Sequence, residues 1–147
     1  MTLTGSCLCG AIRYEIIGPV GPALNCHCSM CRKATGAAFR TRVSVPAKDF
    51  VWISGYELLT RYRSSQDQER SFCRVCGSTL VTFYENDRDI LKLALGTLDD
   101  DPGARAECHV FVGSKAPWFE ITDNLPQFDS WPNDAARFGI HDRKSSL

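Results

Sequence analysis

Seven of the eight cysteines fall into three short clusters with the spacing of metal ligands. Two clusters are pairs closed by glycine, Cys7-Leu8-Cys9-Gly10 and Cys73-Arg74-Val75-Cys76-Gly77. A tight turn lets both sulfurs of a pair converge on one ion while backbone N–H groups point at them, and glycine supplies the freedom that turn needs. Spacing alone does not assign cysteines to ions, but two matching knuckles point to one shared four-thiolate site. Such a site has no vacancy and does no chemistry. It contributes to folding instead, by roughly 10 kcal/mol or more in small zinc peptides, and here would staple the N-terminal strand to the middle of the chain.

The third cluster, Cys26-His27-Cys28-Ser29-Met30-Cys31, offers three thiols. Three ligands leave a position open for water, a substrate or a product sulfur, which makes Cys26, Cys28 and Cys31 the candidate catalytic set. The competing reading closes that position with His27 or Cys108 and makes the site structural. Three thiolates around a divalent ion carry net negative charge, and Arg32 and Lys33 follow at once, placed to neutralise it or to hold a substrate carboxylate. Thiolate softness and the absence of complete iron or copper ligand sets favour zinc, although softness alone does not exclude iron. A metal-free redox thiol fits less well, because clustered thiols in a reducing compartment are usually ligands.

The elements that must position these residues read as strands. Ile12, Tyr14 and Ile16 alternate with Arg13 and Glu15, and Phe39, Thr41, Val43 and Val45 alternate with Arg40, Arg42 and Ser44, so each segment has one dry face. Further strand-like runs lie at 50–53, 56–63, 69–73, 79–84, 90–95 and 107–112, separated by Gly-, Pro- and Asp-rich turns. The expected fold is mainly β and antiparallel. One short helix is expected over Met30 to Thr35, capped by Ser29 and stopped by Gly36. With 147 residues and 44% hydrophobic content, the chain suits one core. Residues 1–131 form the expected domain, and 132–147 the expected polar tail with a disordered end. Seventeen basic and seventeen acidic residues cancel, which argues against nucleic acid as a partner. No leader-like start and no apolar run of membrane-spanning length is present, so a cytoplasmic protein without membrane association is expected, with its thiols reduced.

Laid out this way, the chain resembles the family of glutathione-dependent formaldehyde-activating enzymes, whose domain also occurs in centromere protein V. The likeness runs from about Gly5 to Phe128. It rests on Gly5-Ser6-Cys7-Leu8-Cys9-Gly10-Ala11, on Cys26 to Lys33 and on Arg70 to Ser78, with His109-Val110-Phe111-Val112, Lys115-Ala116-Pro117-Trp118 and Leu125-Pro126-Gln127-Phe128 downstream. The resemblance implies a structural zinc on Cys7, Cys9, Cys73 and Cys76 and a second, catalytic zinc on Cys26, Cys28 and Cys31. It also implies curled sheets around a zinc-ribbon core, similar to the methionine R-sulfoxide reductases. The activity it implies is carbon–sulfur lyase chemistry, joining glutathione to formaldehyde as S-hydroxymethylglutathione. Leu8 replaces a histidine often seen between the first two cysteines.

The expected function is therefore a zinc-dependent enzyme acting on a thiol adduct of a small aldehyde, and the alternative is a non-catalytic zinc-binding scaffold. Arg32, Lys33, Arg40 and Arg42 are candidates to hold a thiol's carboxylate, or else are solvated surface charges. His109 is read as a hydrogen-bonded structural residue before a proton shuttle, Trp118 as core, and Cys108 as a small buried hydrophobe.

Overall fold

The computed structural model describes residues Met1–Ile140; residues 141–147, including the end of the expected tail, lie outside the described residues. Ten strands follow one another as β1 (Thr2–Ser6), β2 (Arg13–Ile17), β3 (Ala23–Cys26), β4 (Arg40–Pro46), β5 (Phe50–Ser54), β6 (Leu59–Ser65), β7 (Gln68–Cys73), β8 (Thr79–Tyr84), β9 (Asp87–Ala94) and β10 (Ala106–Val110). Helix α1 (Ser29–Thr35) interrupts them between β3 and β4. A small sheet runs β1-β2-β5, and a seven-stranded sheet runs β10-β3-β4-β9-β8-β7-β6. All pairings are antiparallel except β10 with β3, which is parallel. The fold is mainly β, as the period-two pattern implies.

The main core lies where the small sheet covers one face of the large one. Leu3, Tyr14, Ile16 and Phe50 meet Val43, Val45, Leu91, Leu93 and Val81, all buried. Tyr14 stacks on Phe50 at 4.8 Å between ring centroids. Directly across from Tyr14 stands Gly5, where a Cβ would lie 2.1 Å from the Tyr14 ring. Only glycine lets that ring lie flat on the β1 backbone.

The opposite face of the large sheet is the unexpected one. Pairing of Cys26 with Arg40, Ser44 with Lys92, Lys92 with Thr82, Thr82 with Arg70 and Tyr84 with Gln68 sets a row of polar side chains on that face. Arg40, Arg42, Arg70, Gln68, Thr82 and Lys92 are all buried. Alternation identifies two faces but says nothing of what covers the second. Here the cover comes from α1 and from the chain's last described stretch, with Phe138 and Ile140 packed beside Cys26, Cys28, Cys31 and Cys108 in a second apolar cluster. Part of the segment expected as a polar tail thus lies against the sheet, bound by Ser44 Oγ donating to the Phe138 carbonyl and Lys92 Nζ to that of Gly139.

Other departures have local causes. Cys28, not Ser29, caps α1, its side chain accepting from the Cys31 N–H, and Gly36 ends the helix at φ 69° as expected. A sulfur takes the role a hydroxyl usually fills. Strand β3 is buried at all four positions, so it shows no alternation. The expected strand at 56–63 begins as a 3-10 turn, Tyr56–Leu58, before β6. Trp118 is not in the core: it is 71% exposed. No helix among the described residues is long and apolar enough to cross a membrane.

Candidate metal centres

The first knuckle follows β1 and the second follows β7. Each closes on itself through backbone bonds, Gly10 N–H to the Cys7 carbonyl at 2.9 Å and Gly77 N–H to that of Cys73 at 2.7 Å, with both glycines at positive φ. The two turns bring Cys7, Cys9, Cys73 and Cys76 together, their four sulfurs all within 4.8 Å of one another. Sulfur separations of 3.5 Å (Cys7 to Cys9) and 3.9 Å (Cys9 to Cys73) bracket the spacing of about 3.8 Å expected for thiolates on a tetrahedral zinc. The Ile12 N–H donates to Cys7 Sγ at 3.3 Å. Cys76 is pulled down to about 5, first by the Ser78 side chain and then by backbone N–H groups. This cluster could hold a metal, at the end of the sandwich where Cys9 is exposed and Cys7 and Cys73 are buried.

The second cluster lies under the sheet. Cys26 ends β3, Cys28 caps α1 and Cys31 sits in its first turn, so one strand-to-helix corner presents three sulfurs within 4.8 Å of one another, each side chain buried. Cys31 N–H donates to Cys28 Sγ at 3.2 Å. None of the three is in a disulfide. Their mutual hydrogen bonds hold Cys31 well below the usual thiol range and push Cys26 well above it, because neighbouring sulfurs cannot all shed protons without a cation among them. Three soft, buried, mutually touching donors fit a soft divalent metal. Among the described residues no further His, Cys, Asp or Glu joins this set. His27 turns to His109, and Cys108 stays in the apolar cluster.

Around the trio stand expected and unexpected side chains. A recess is lined by the three cysteines with Arg40, Arg42, Arg70, Gln68, Tyr84 and Trp131. Arg70 Nη2 donates to Cys31 Sγ at 3.6 Å. Burial would lower the Arg70 pKa, yet the charge and hydrogen bond of Cys31 raise it on balance. Of the four cations expected near the site, Arg40 and Arg42 are buried in the recess wall, Arg32 is half-buried and Lys33 is exposed. Arg70, Gln68 and Tyr84 reach the site by register, from strands far along the chain. The sequence gives little signal for them, because β7 reads Gln-Glu-Arg-Ser-Phe-Cys without polar–apolar alternation and β8 carries no charged residue.

With this geometry in view, comparison with known proteins is decisive at the level of family. The family model for the glutathione-dependent formaldehyde-activating enzyme matches residues 2–114. This chain belongs to that family. A Halomonas elongata relative, provisionally named a glutathione-dependent formaldehyde-activating enzyme, is 30% identical over 157 residues, covering 97% of this chain and 99% of its own. An uncharacterized lyase of Schizosaccharomyces pombe is 36% identical over 85 residues, 58% of this chain and 60% of its own. A crystal structure of a Rhodobacter sphaeroides protein superposes with a TM-score of 0.56 at 24% identity, over 68% of this chain and 92% of that one. At that identity it shows the fold alone. The family match spans all three cysteine motifs and stops short of the downstream Lys115-Ala116-Pro117-Trp118 and Leu125-Pro126-Gln127-Phe128.

One further polar cluster adjoins the trio in this family member. His27 Nε2 lies 2.8 Å from His109 Nδ1, and His109 Nε2 lies 2.9 Å from Asp123 Oδ2. Both rings are buried, with His27 against Phe39 at 4.9 Å. Burial first, and then the charge of His109, lowers the His27 pKa to about 4. The hydrogen bond from His109 lowers Asp123. His109 is thus hydrogen-bonded and structural in its contacts, not isolated. The cleft between Trp52, Phe83 and Arg88, about 310 Å³, contains none of the cysteines.

Proposed function

We propose that this chain is a zinc-dependent enzyme of the carbon–sulfur lyase type, similar to an S-hydroxymethylglutathione synthase, joining a small thiol such as glutathione to formaldehyde. The observation that carries the reading is the contrast in ligand count: four converging sulfurs in one cluster, three in the other, and the three beside a cationic recess. In this reading Cys7, Cys9, Cys73 and Cys76 hold a structural zinc, and Cys26, Cys28 and Cys31 hold a second one. A zinc held by Cys26, Cys28 and Cys31 would supply Lewis acidity at this place, enough to make an incoming thiol available as thiolate near neutrality.

The chain's own residues do the rest. The Cys31 N–H fixes Cys28 Sγ, so two of the three donors are positioned by the first turn of α1. Arg70 offsets the negative charge of the sulfurs through its bond to Cys31. Arg40 is itself held by Thr82 Oγ1 at 2.6 Å and the Lys92 carbonyl at 3.0 Å, which keeps a second positive charge close without mobility. Tyr84 and Trp131 wall the recess and limit water. Eight free thiols suit a reducing cell interior such as the cytoplasm.

Metal analysis of native protein, followed by glutathione titration at the zinc X-ray absorption edge with and without formaldehyde, tests the reading. Two zinc ions per chain are expected, one of them responding to glutathione, and Cys28→Ser should remove that ion and all thiol binding while the protein stays folded. A second ion already saturated by four protein ligands and indifferent to thiol would replace the enzyme with a non-catalytic zinc scaffold.

A further inference from the structure

The buried guanidinium groups beside the trio are not equivalent. Arg40 spends its terminal nitrogens on Thr82 and on the Leu80 and Lys92 carbonyls, as a strut across the sheet. Arg42 makes no such bond: Nη1 and Nη2 are both buried without a hydrogen-bond partner. Its one packing partner of note is the Trp131 ring, 5.7 Å from the guanidinium carbon. Arg70 spends Nη2 on Cys31 and leaves Nε and Nη1 equally unsatisfied. These side chains are almost wholly enclosed, Arg42 at 4% exposure and Arg70 at 7%.

Burying a guanidinium with orphaned N–H groups is costly unless an anion completes it. Among the described residues no carboxylate forms an ion pair with Arg40, Arg42 or Arg70. The trio does not balance them either. Three thiolates on a divalent metal carry a single net negative charge against three guanidinium charges. Both terminal nitrogens of Arg42 are free, and this is the fork that takes a carboxylate in two parallel hydrogen bonds. The free space between these groups is about 10 Å³, the size of one water. A carboxylate reaching the Arg42 fork takes that water's place and must displace part of the wall, of which the Trp131 ring over Arg42 is one side.

We propose that Arg42, with Arg70 beside it, forms a carboxylate-binding site next to the three-cysteine centre. It would accept the carboxylate of an incoming thiol, or a free carboxylate of formate size. The proposal rests on the trio being the thiol site. It narrows the four candidates for that contact, Arg32, Lys33, Arg40 and Arg42, to Arg42 on β4, and adds Arg70 on β7 beside it.

The test uses zinc-loaded protein and four probes: glutathione, 3-mercaptopropionate as a thiol with a carboxylate, 2-mercaptoethanol as a thiol without one, and ¹³C-formate followed by NMR. Wild-type protein should bind 3-mercaptopropionate about ten-fold or more tightly than 2-mercaptoethanol, as a charge-assisted pair allows. Formate should compete with the former and not with the latter. Arg42→Gln should erase the preference and formate binding while zinc content and 2-mercaptoethanol affinity stay unchanged; Arg42→Lys should restore part of it. Should Arg42→Gln fail to fold, the wild-type preference and the formate competition decide by themselves. Equal affinity for both thiols, with no formate binding, overturns the proposal and leaves water on Arg42. If no thiol binds but formate still does, lost in Arg42→Gln, the anion site stands and the thiol reading of the trio falls. Preference by glutathione alone, absent for 3-mercaptopropionate and formate, places the contact elsewhere and also overturns it.

Discussion

The two cysteine clusters use the same donor atoms and solve opposite problems. In the knuckles, two turns at strand ends supply four sulfurs, and backbone N–H groups and Ser78 face them. In the trio, a strand-to-helix corner supplies three, and arginine side chains face them across a recess. Neutral dipoles suit a site that is closed and permanent, since they ask for no counter-charge of their own. Full cations suit a site whose charge changes as a ligand comes and goes. Ligand count and the kind of surroundings therefore point the same way.

The sharpest way to break this contrast is to remove one ligand from the knuckles. Cys76→Ser should lose a metal ion and unfold most of the domain, a loss of roughly 5 kcal/mol or more, because residues far apart in sequence are joined there. Thermal unfolding with metal analysis reads this, and a stable Cys76→Ser protein with unchanged metal content would remove the structural role. A smaller effect distinguishes the two sides in acid. The unfolded His27 ring takes up a proton below about 6.5, whereas the folded ring, buried against His109, takes one only near 4. Its contribution is thus complete above about pH 6.5 and is lost as the pH falls towards 4, by up to roughly 3 kcal/mol. Amide exchange at pH 5 should show the β3 and α1 corner opening before the β1 and β2 hairpin, and NMR should find His27 neutral there; a ring already protonated at pH 5.5 contradicts it.

Smaller still is the electrostatic support of the trio. Arg70→Met should weaken metal retention at the second site about ten-fold and leave the knuckle metal untouched, as chelator competition would read. Equal loss from both sites would mean that Arg70 matters only for folding. At the bottom of the scale, Lys33→Ala should change stability and thiol binding by less than about 0.5 kcal/mol, since the side chain is exposed. A ten-fold loss of thiol affinity in that variant would return the substrate contact to the helix surface.

Much of this was legible from local pattern. Glycine after each knuckle implied a turn at positive φ, and Gly10 and Gly77 adopt it. Alternation in 12–16 and 39–45 marked strands, and the paired knuckles implied a shared cluster, because such signals depend only on neighbours a few residues away. The cap of α1 was misplaced by one residue, since a hydroxyl at Ser29 competes on paper with a sulfur at Cys28 that the trio has already oriented. Trp118 misled because an aromatic side chain carries no mark of whether anything will cover it.

By itself, then, the sequence determined the three cysteine clusters, the family and the mainly β architecture, all of which follow from residue type, motif and short-range spacing. Only the tertiary structure decided that the arginine face of the large sheet is buried. Strand register carried Tyr84 of β8 and Arg70 and Gln68 of β7 to the same face as the trio, across β4 and β9, and the stretch from Trp131 to Ile140 closed over Arg42. Period-two alternation reads the same whether the polar face meets water or protein. Which of the two it meets depends on segments separated by tens of residues, and that is settled by packing rather than by local propensity.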